Sequence, residues 1–165
     1  MMLLYLVRHG IAVNRDDPNA PSEAERHLTP KGIAKTREAA RGLRALGIKP
    51  RAILSSPYLR ALQTAEITCE ELDLPLGKLR RVPALLPEAG AEELFRELKK
   101  VQAEEVICFG HAPNMDQVIA YAVGAAHPVT VLKKAGVACV ELASAGARSG
   151  TLQWVLTPKI LRTLA

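Results

Sequence analysis

From Leu3 to Val7 the chain reads Leu-Leu-Tyr-Leu-Val with no polar break, a short run that predicts a strand covered on both faces. Ala52-Ile53-Leu54 and Val106-Ile107-Cys108-Phe109 repeat the pattern. Between these runs the apolar positions recur with a longer period. Thr29-Pro30 reads as an N-cap followed by proline at the first helical position, and Ile33, Thr36, Ala40 and Leu43 follow at helical spacing until Gly47 closes the segment. Ser56-Pro57 repeats the cap-plus-proline device and predicts a helix to about Leu72. Glu92 to Gln102 predicts a helix turning Leu94, Phe95 and Leu98 inward, and Pro113 opens another that carries Val118, Ile119 and Val123. Val137 to Leu142 and Leu152 to Leu156 predict two more strands, joined as a hairpin through the Gly- and Ser-rich stretch between them. Asn14 to His27 is polar and loop-like, and Pro75 to Ala89 is proline-punctuated and predicted to be irregular. Strands alternating with helices predict an α/β fold whose mostly parallel sheet is covered on both faces.

Composition narrows the class. The 165 residues suffice for one domain spanning 1–165, and 48% hydrophobic with 24% charged residues excludes disorder, collagen-like repeats and a coiled coil. Aromatic residues make up only 4%, which argues against a base-stacking platform and hence against a nucleic-acid partner. No apolar run approaches a membrane span, and the first apolar run stops at Arg8 without a basic leader. A soluble cytoplasmic domain is expected. Cys69, Cys108 and Cys139 have no CxxC spacing and predict free thiols in a reducing compartment. The net charge of +5 comes from basic residues dispersed in ones and twos, which fits either a solvated surface or attraction of a small anion.

The chemistry gathers at strand ends. The first predicted strand runs into Arg8-His9-Gly10, the second into Ser55-Ser56-Pro57 with Arg60 one turn further, and the third into Gly110-His111. In an open parallel sheet these carboxyl ends share one edge, where ligands bind. Two arginines and two histidines without a carboxylate describe a phosphate site. Arg8 and Arg60 present planar forks of donors to tetrahedral oxygens. Their charge lowers the pKa of nearby imidazoles, so His9 can attack phosphorus as a neutral nucleophile and His111 can donate to the transferring oxygens. Gly10 and Gly110 are expected to let the backbone approach the anion, and Ser56 to bring a helix N-terminus close. His27 and His127 read as ordinary surface or core histidines. Four histidines without paired spacing or clustered acids make no zinc site, so neither metal nor cofactor is expected.

These residues resemble a known family. Leu6-Val7-Arg8-His9-Gly10, the block from Ser55 to Ala65 with Arg60-Ala61-Leu62-Gln63-Thr64, and Phe109-Gly110-His111 followed by Pro113 are similar to the three signature blocks of the histidine phosphatase, or phosphoglycerate-mutase-like, superfamily. Arg26-His27-Leu28-Thr29-Pro30-Lys31-Gly32 adds a fourth, in the correct order along residues 3 to about 120. The resemblance implies a three-layer α/β/α sandwich, metal-independent phosphoryl chemistry and a phosphohistidine on His9, with Arg8, Arg60 and His111 in the phosphate pocket. The short length and the Arg-His-Gly-x-Ala start are most similar to the small phosphohistidine phosphatase branch. Larger members use a glutamate after the second block as general acid, and Glu88 is the candidate here, with Arg26 as a secondary anion contact at the rim. The expected substrate is a phosphorylated molecule, either a phosphohistidine protein or a small phosphate ester. A binding module that keeps the pocket without turnover is the alternative from another class, and the presence of both histidines and both arginines favours the enzyme.

Overall fold

In a computed structural model of residues 1–165 the apolar runs pair into one six-stranded sheet. Its strands are β1 (Met2–Arg8), β2 (Ala52–Ser55), β3 (Leu79–Arg81), β4 (Glu105–Gly110), β5 (Val137–Leu142) and β6 (Thr151–Leu156), ordered β3-β2-β4-β1-β5-β6. The first four in chain order run parallel, whereas β5 pairs antiparallel with both β1 and β6. Four helices connect them, α1 (Pro30–Ala45), α2 (Leu59–Glu71), α3 (Ala91–Leu98) and α4 (Asn114–Ala122), and the short α5 (Pro158–Leu161) follows β6.

The pleat divides the side chains between two cores. Leu4 and Leu6 of β1, with Val106 and Cys108 of β4, meet Leu94, Phe95 and Leu98 of α3 and Met115, Val118 and Ile119 of α4. Tyr5, Val7, Ile107 and Phe109 turn the other way, against Ala39 and Leu43 of α1, Ala65 and Cys69 of α2 and Leu161 of α5. The result is the three-layer α/β/α sandwich, with each fully buried Leu or Ile stabilising it by roughly 1.5–3 kcal/mol. No helix is long and apolar enough to cross a membrane.

Connectivity places a crevice. β1 leads through α1 to β2 on the far side of β4, while β4 leads through α4 to β5 on the far side of β1. The order therefore reverses between β1 and β4, and ligands of open α/β sheets bind outside the strand ends at such a point.

Local signals hold at α1 and fail at α2. Thr29 caps α1 by accepting from the Gly32 N–H at 3.0 Å, and Gly47 ends the segment at φ +73°. Ile33, expected on the inner stripe, is exposed beside it. The helix after β2 starts at Leu59 with Tyr58 at its cap position, so Ser56 is not the N-cap. The stretch expected to be irregular contains the edge strand β3, and α3 ends at Leu98, short of Gln102.

Candidate active site

The chain delivers Arg8 and His9 from the end of β1, Tyr58 and Arg60 from the start of α2, and His111 from the end of β4 to one cavity of about 700 Å³. Arg26, Glu88, Arg15, Lys134 and Glu23 also line it. Five cations thus face two carboxylates, where the strand-end motifs alone contain none.

His9 is buried, and its ring is oriented from both sides. Nδ1 lies 2.7 Å from the Gly10 carbonyl, which can only accept, so the ring proton is on Nδ1. Nε2 then carries a lone pair, and Arg60 Nε donates to it at 3.3 Å. Burial pushes the imidazole down to about 3; the hydrogen bond to Gly10 opposes this, and the charges of Arg60, Arg8 and Arg26 add to it. The backbone beside the ring is clamped as well. Gly10 N–H donates to Thr64 Oγ1 at 3.0 Å, and Thr64 bonds back to the Arg60 carbonyl one turn earlier in α2.

The His111 ring centroid lies 5.2 Å from that of His9. Burial lowers the His111 pKa well below the usual range, with His9 and the guanidiniums of Arg60, Arg26 and Arg8 adding to the effect. Its Nε2 is 2.8 Å from Ser56 Oγ, and that hydroxyl already accepts the Tyr58 N–H at 3.2 Å. The hydroxyl hydrogen is free to go to Nε2, and the other ring nitrogen, Nδ1, is a buried atom with no partner in the protein. Ser56 is thus a ring-orienting residue. Ser56→Ala is expected to lower kcat by about 10–100-fold, the scale set by outer partners of active-site imidazoles, while KM moves little in steady-state kinetics. An unchanged kcat would remove this role.

The arginines are held by backbone carbonyls. Arg8 Nη1 donates to Leu132 O at 2.9 Å, and Asp116 secures the same residue by accepting the Leu132 N–H at 2.8 Å. Arg8 Nε is buried without a protein partner. Arg60 Nη1 donates to Glu23 O at 2.6 Å, and Arg26 Nη1 to Val13 O at 2.8 Å. Arg26 is buried in the cavity wall, not at a rim. Glu88 lines the cavity as an exposed residue with no hydrogen bond to its carboxylate, and Asn114 Nδ2 donates to the neighbouring Ala89 carbonyl.

Gly10 and Gly110 do not line the cavity. A Cβ on Gly10 would collide with Thr36 Oγ1 of α1, and one on Gly110 with Met115 Cε of α4, so both glycines serve close packing rather than approach to an anion. His27 and His127 are exposed and lie outside the cavity. Glu23, Arg15, Lys134 and Thr64 were not singled out as site residues by motif reading, and Ser56 was given a capping role in place of the orienting one it has. Thr64 had a signal, since it lies four residues after Arg60 on the same helix face.

The family model for the histidine phosphatase superfamily (branch 1) matches residues 4–82. The chain is 36% identical over 152 residues to an uncharacterized protein of Picosynechococcus sp. PCC 7002, covering 89% of this chain and 88% of the relative. It is 28% identical over 160 residues to the phosphohistidine phosphatase SixA of Escherichia coli, covering 95% and 94%. The solved structure of the protein histidine phosphatase SixA complexed with tungstate superposes with a TM-score of 0.86 at 27% identity, covering 96% of this chain and 98% of that one.

Proposed function

The chain belongs to the histidine phosphatase superfamily, and within it we propose a phosphohistidine phosphatase that acts through a covalent phosphoryl group on His9. The observation that carries the reading is the state of the His9 ring: neutral, protonated at Nδ1, with the Nε2 lone pair in a cationic cavity. The similar SixA that binds tungstate, a tetrahedral oxyanion, supports it.

His9 Nε2 attacks phosphorus in line with the departing nitrogen of the substrate. The bond from phosphorus to the substrate ring breaks as the bond to Nε2 forms, and the substrate imidazole takes up a proton from water at its second nitrogen. Arg8, Arg60 and Arg26 neutralise the equatorial oxygens, and His111 Nδ1–H donates to one of them. Water then attacks the phosphorus, orthophosphate departs with both hydrogens of that water shared between it and solvent, and His9 returns to its neutral form. Residues 1–165 act as one catalytic domain in this scheme. We assign it to the cytoplasm, where the buried thiols of Cys69, Cys108 and Cys139 stay reduced.

The experiment is phosphate release from a histidine-phosphorylated protein in the presence of EDTA. Wild type is expected to turn over. Arg60→Lys is expected to lose about hundredfold in kcat/KM, because a point charge cannot replace the fork, and Arg60→Ala more. Release from an aryl phosphate without release from phosphohistidine would favour the second reading, a phosphatase of small phosphate esters, which Glu88 on the cavity wall supports. Release from neither would leave only a binding module.

A further inference from the structure

Glu23 has more contacts with the pocket's cations than any other acid in the chain. Its Oε1 lies 3.3 Å from Arg15 Nε and 3.0 Å from Arg26 Nε, the latter an ion pair without hydrogen-bond alignment. Its Oε2 accepts from Arg26 Nη2 at 3.3 Å and from Arg60 Nη2 at 3.4 Å. Burial raises its pKa, but the Arg26 hydrogen bond and the charges of Arg26, Arg15 and Arg60 outweigh this and hold it below the usual carboxylate range. Three guanidiniums around one carboxylate form an occupied anion site inside the cavity.

We propose that Glu23 is an internal competitor of the substrate's phosphoryl group. Its carboxylate holds the donors of Arg26 and Arg60 while the pocket is free, gives them up when a phosphoryl group enters, and returns as orthophosphate leaves. This rests on the reading of the cavity as a phosphoryl site.

Two observations separate a competitor from an anchor. The first is that the arginines do not depend on the carboxylate for their position. Arg60 Nη1 is held by the backbone carbonyl of Glu23, and Arg26 Nη1 by that of Val13. When the carboxylate leaves, the forks stay in place and Arg60 Nη2 and Arg26 Nη2 become available together. The second is that Glu23 has a way out. It lies at the start of a single 3-10 turn, Glu23–Glu25, and its side chain is 45% exposed, against 3% for Arg60 and 9% for Arg26. All contacts to its carboxylate come from these cations, at 3.0–3.4 Å, long for charge-assisted pairs. A phosphoryl group carries more charge and more acceptor oxygens, and outbids a single carboxylate for the same donors.

The test is calorimetric binding of inorganic phosphate to the full chain at fixed ionic strength, with phosphate inhibition of aryl phosphate turnover read in parallel. Glu23→Gln and Glu23→Ala both keep the backbone carbonyl that holds Arg60. Each is expected to bind phosphate about tenfold more tightly, equivalent to about 1.4 kcal/mol, and to lower the phosphate inhibition constant to match. Glu25→Gln, on the same turn but outside the cavity lining, removes an equal charge and is expected to change binding far less. Unchanged or weaker binding in both Glu23 variants makes the residue an anchor and overturns the proposal. An equal gain in Glu25→Gln reduces the effect to general charge and also overturns it. Phosphate binding absent from wild type and variants alike overturns the phosphoryl-site reading itself, a result distinct from the other two.

Discussion

His9→Ala is expected to lower turnover by a factor on the order of 10⁴–10⁶, the scale of removing a covalent nucleophile. Nothing else in the cavity can take over the attack. The cavity's other imidazole, His111, is held through Nε2 by Ser56 Oγ at 2.8 Å, whereas His9 Nε2 has only the longer 3.3 Å contact with Arg60 Nε. Binding and chemistry separate in this variant. Arg8 and Arg26 keep their backbone anchors, and Arg60 keeps its bond to Glu23 O, so vanadate binding is expected to survive in part. In wild type, rapid quench with labelled substrate should trap an acid-labile, base-stable phosphoenzyme that His9→Ala lacks. The depressed pKa has a kinetic consequence too. A ring titrating near 3 is neutral from pH 8 down to about pH 4, so kcat/KM should show no acid limb near the ordinary histidine value of about 6.5 from this residue. Substantial turnover in His9→Ala, or a phosphoenzyme that persists in it, would remove His9 as the nucleophile.

What could be read in advance follows physical visibility. β1, β2 and β4 lie inside the sheet between helical layers, so their faces are both apolar and appear as unbroken runs. β3 is a three-residue edge strand, Leu-Arg-Arg, whose exposed arginines protect the edge and hide it from any hydrophobic pattern. α5 spans only four residues, too few to display a period. Strand-end motifs located Arg8, His9, Arg60 and His111 because a parallel sheet brings those ends to one edge whatever the loops do. Ser56 was misread because Ser-Pro looks the same whether the hydroxyl caps a helix or faces an imidazole. Gly10 and Gly110 were assigned to the anion because a motif does not tell on which side of the backbone the missing Cβ would lie. Glu23 was invisible for a different reason. It belongs to a polar loop where acids are ordinarily solvated, and its partner Arg60 is 37 residues away.

Substrates should divide by leaving group, with phosphohistidine and activated aryl phosphates turning over at least about 10³-fold faster than alkyl phosphates in kcat/KM. Transfer from a substrate phosphohistidine to His9 exchanges one imidazole for another, so the departing atom is a ring nitrogen whose partner nitrogen takes up the proton, a better leaving group than an alkoxide. That step makes little demand on a proton donor. An alkyl or sugar phosphate expels an alkoxide, which needs a well-placed acid at the moment of bond cleavage. Glu88 is the available carboxyl group in the cavity lining, but it is exposed and nothing in the protein orients it. In the proposed scheme His111 serves the phosphoryl oxygens, and Glu23 is an ionised carboxylate among arginines, so neither is a donor to the leaving atom. Glu88→Gln should therefore slow alkyl esters by about 10²-fold, within the range for a single general acid, and leave phosphohistidine turnover within a few-fold of wild type. Steady-state rates for the substrate pair in wild type and variant decide the matter. Efficient hydrolysis of a sugar phosphate together with inertness toward phosphohistidine would make Glu88 a working acid and the protein a phosphatase of small esters.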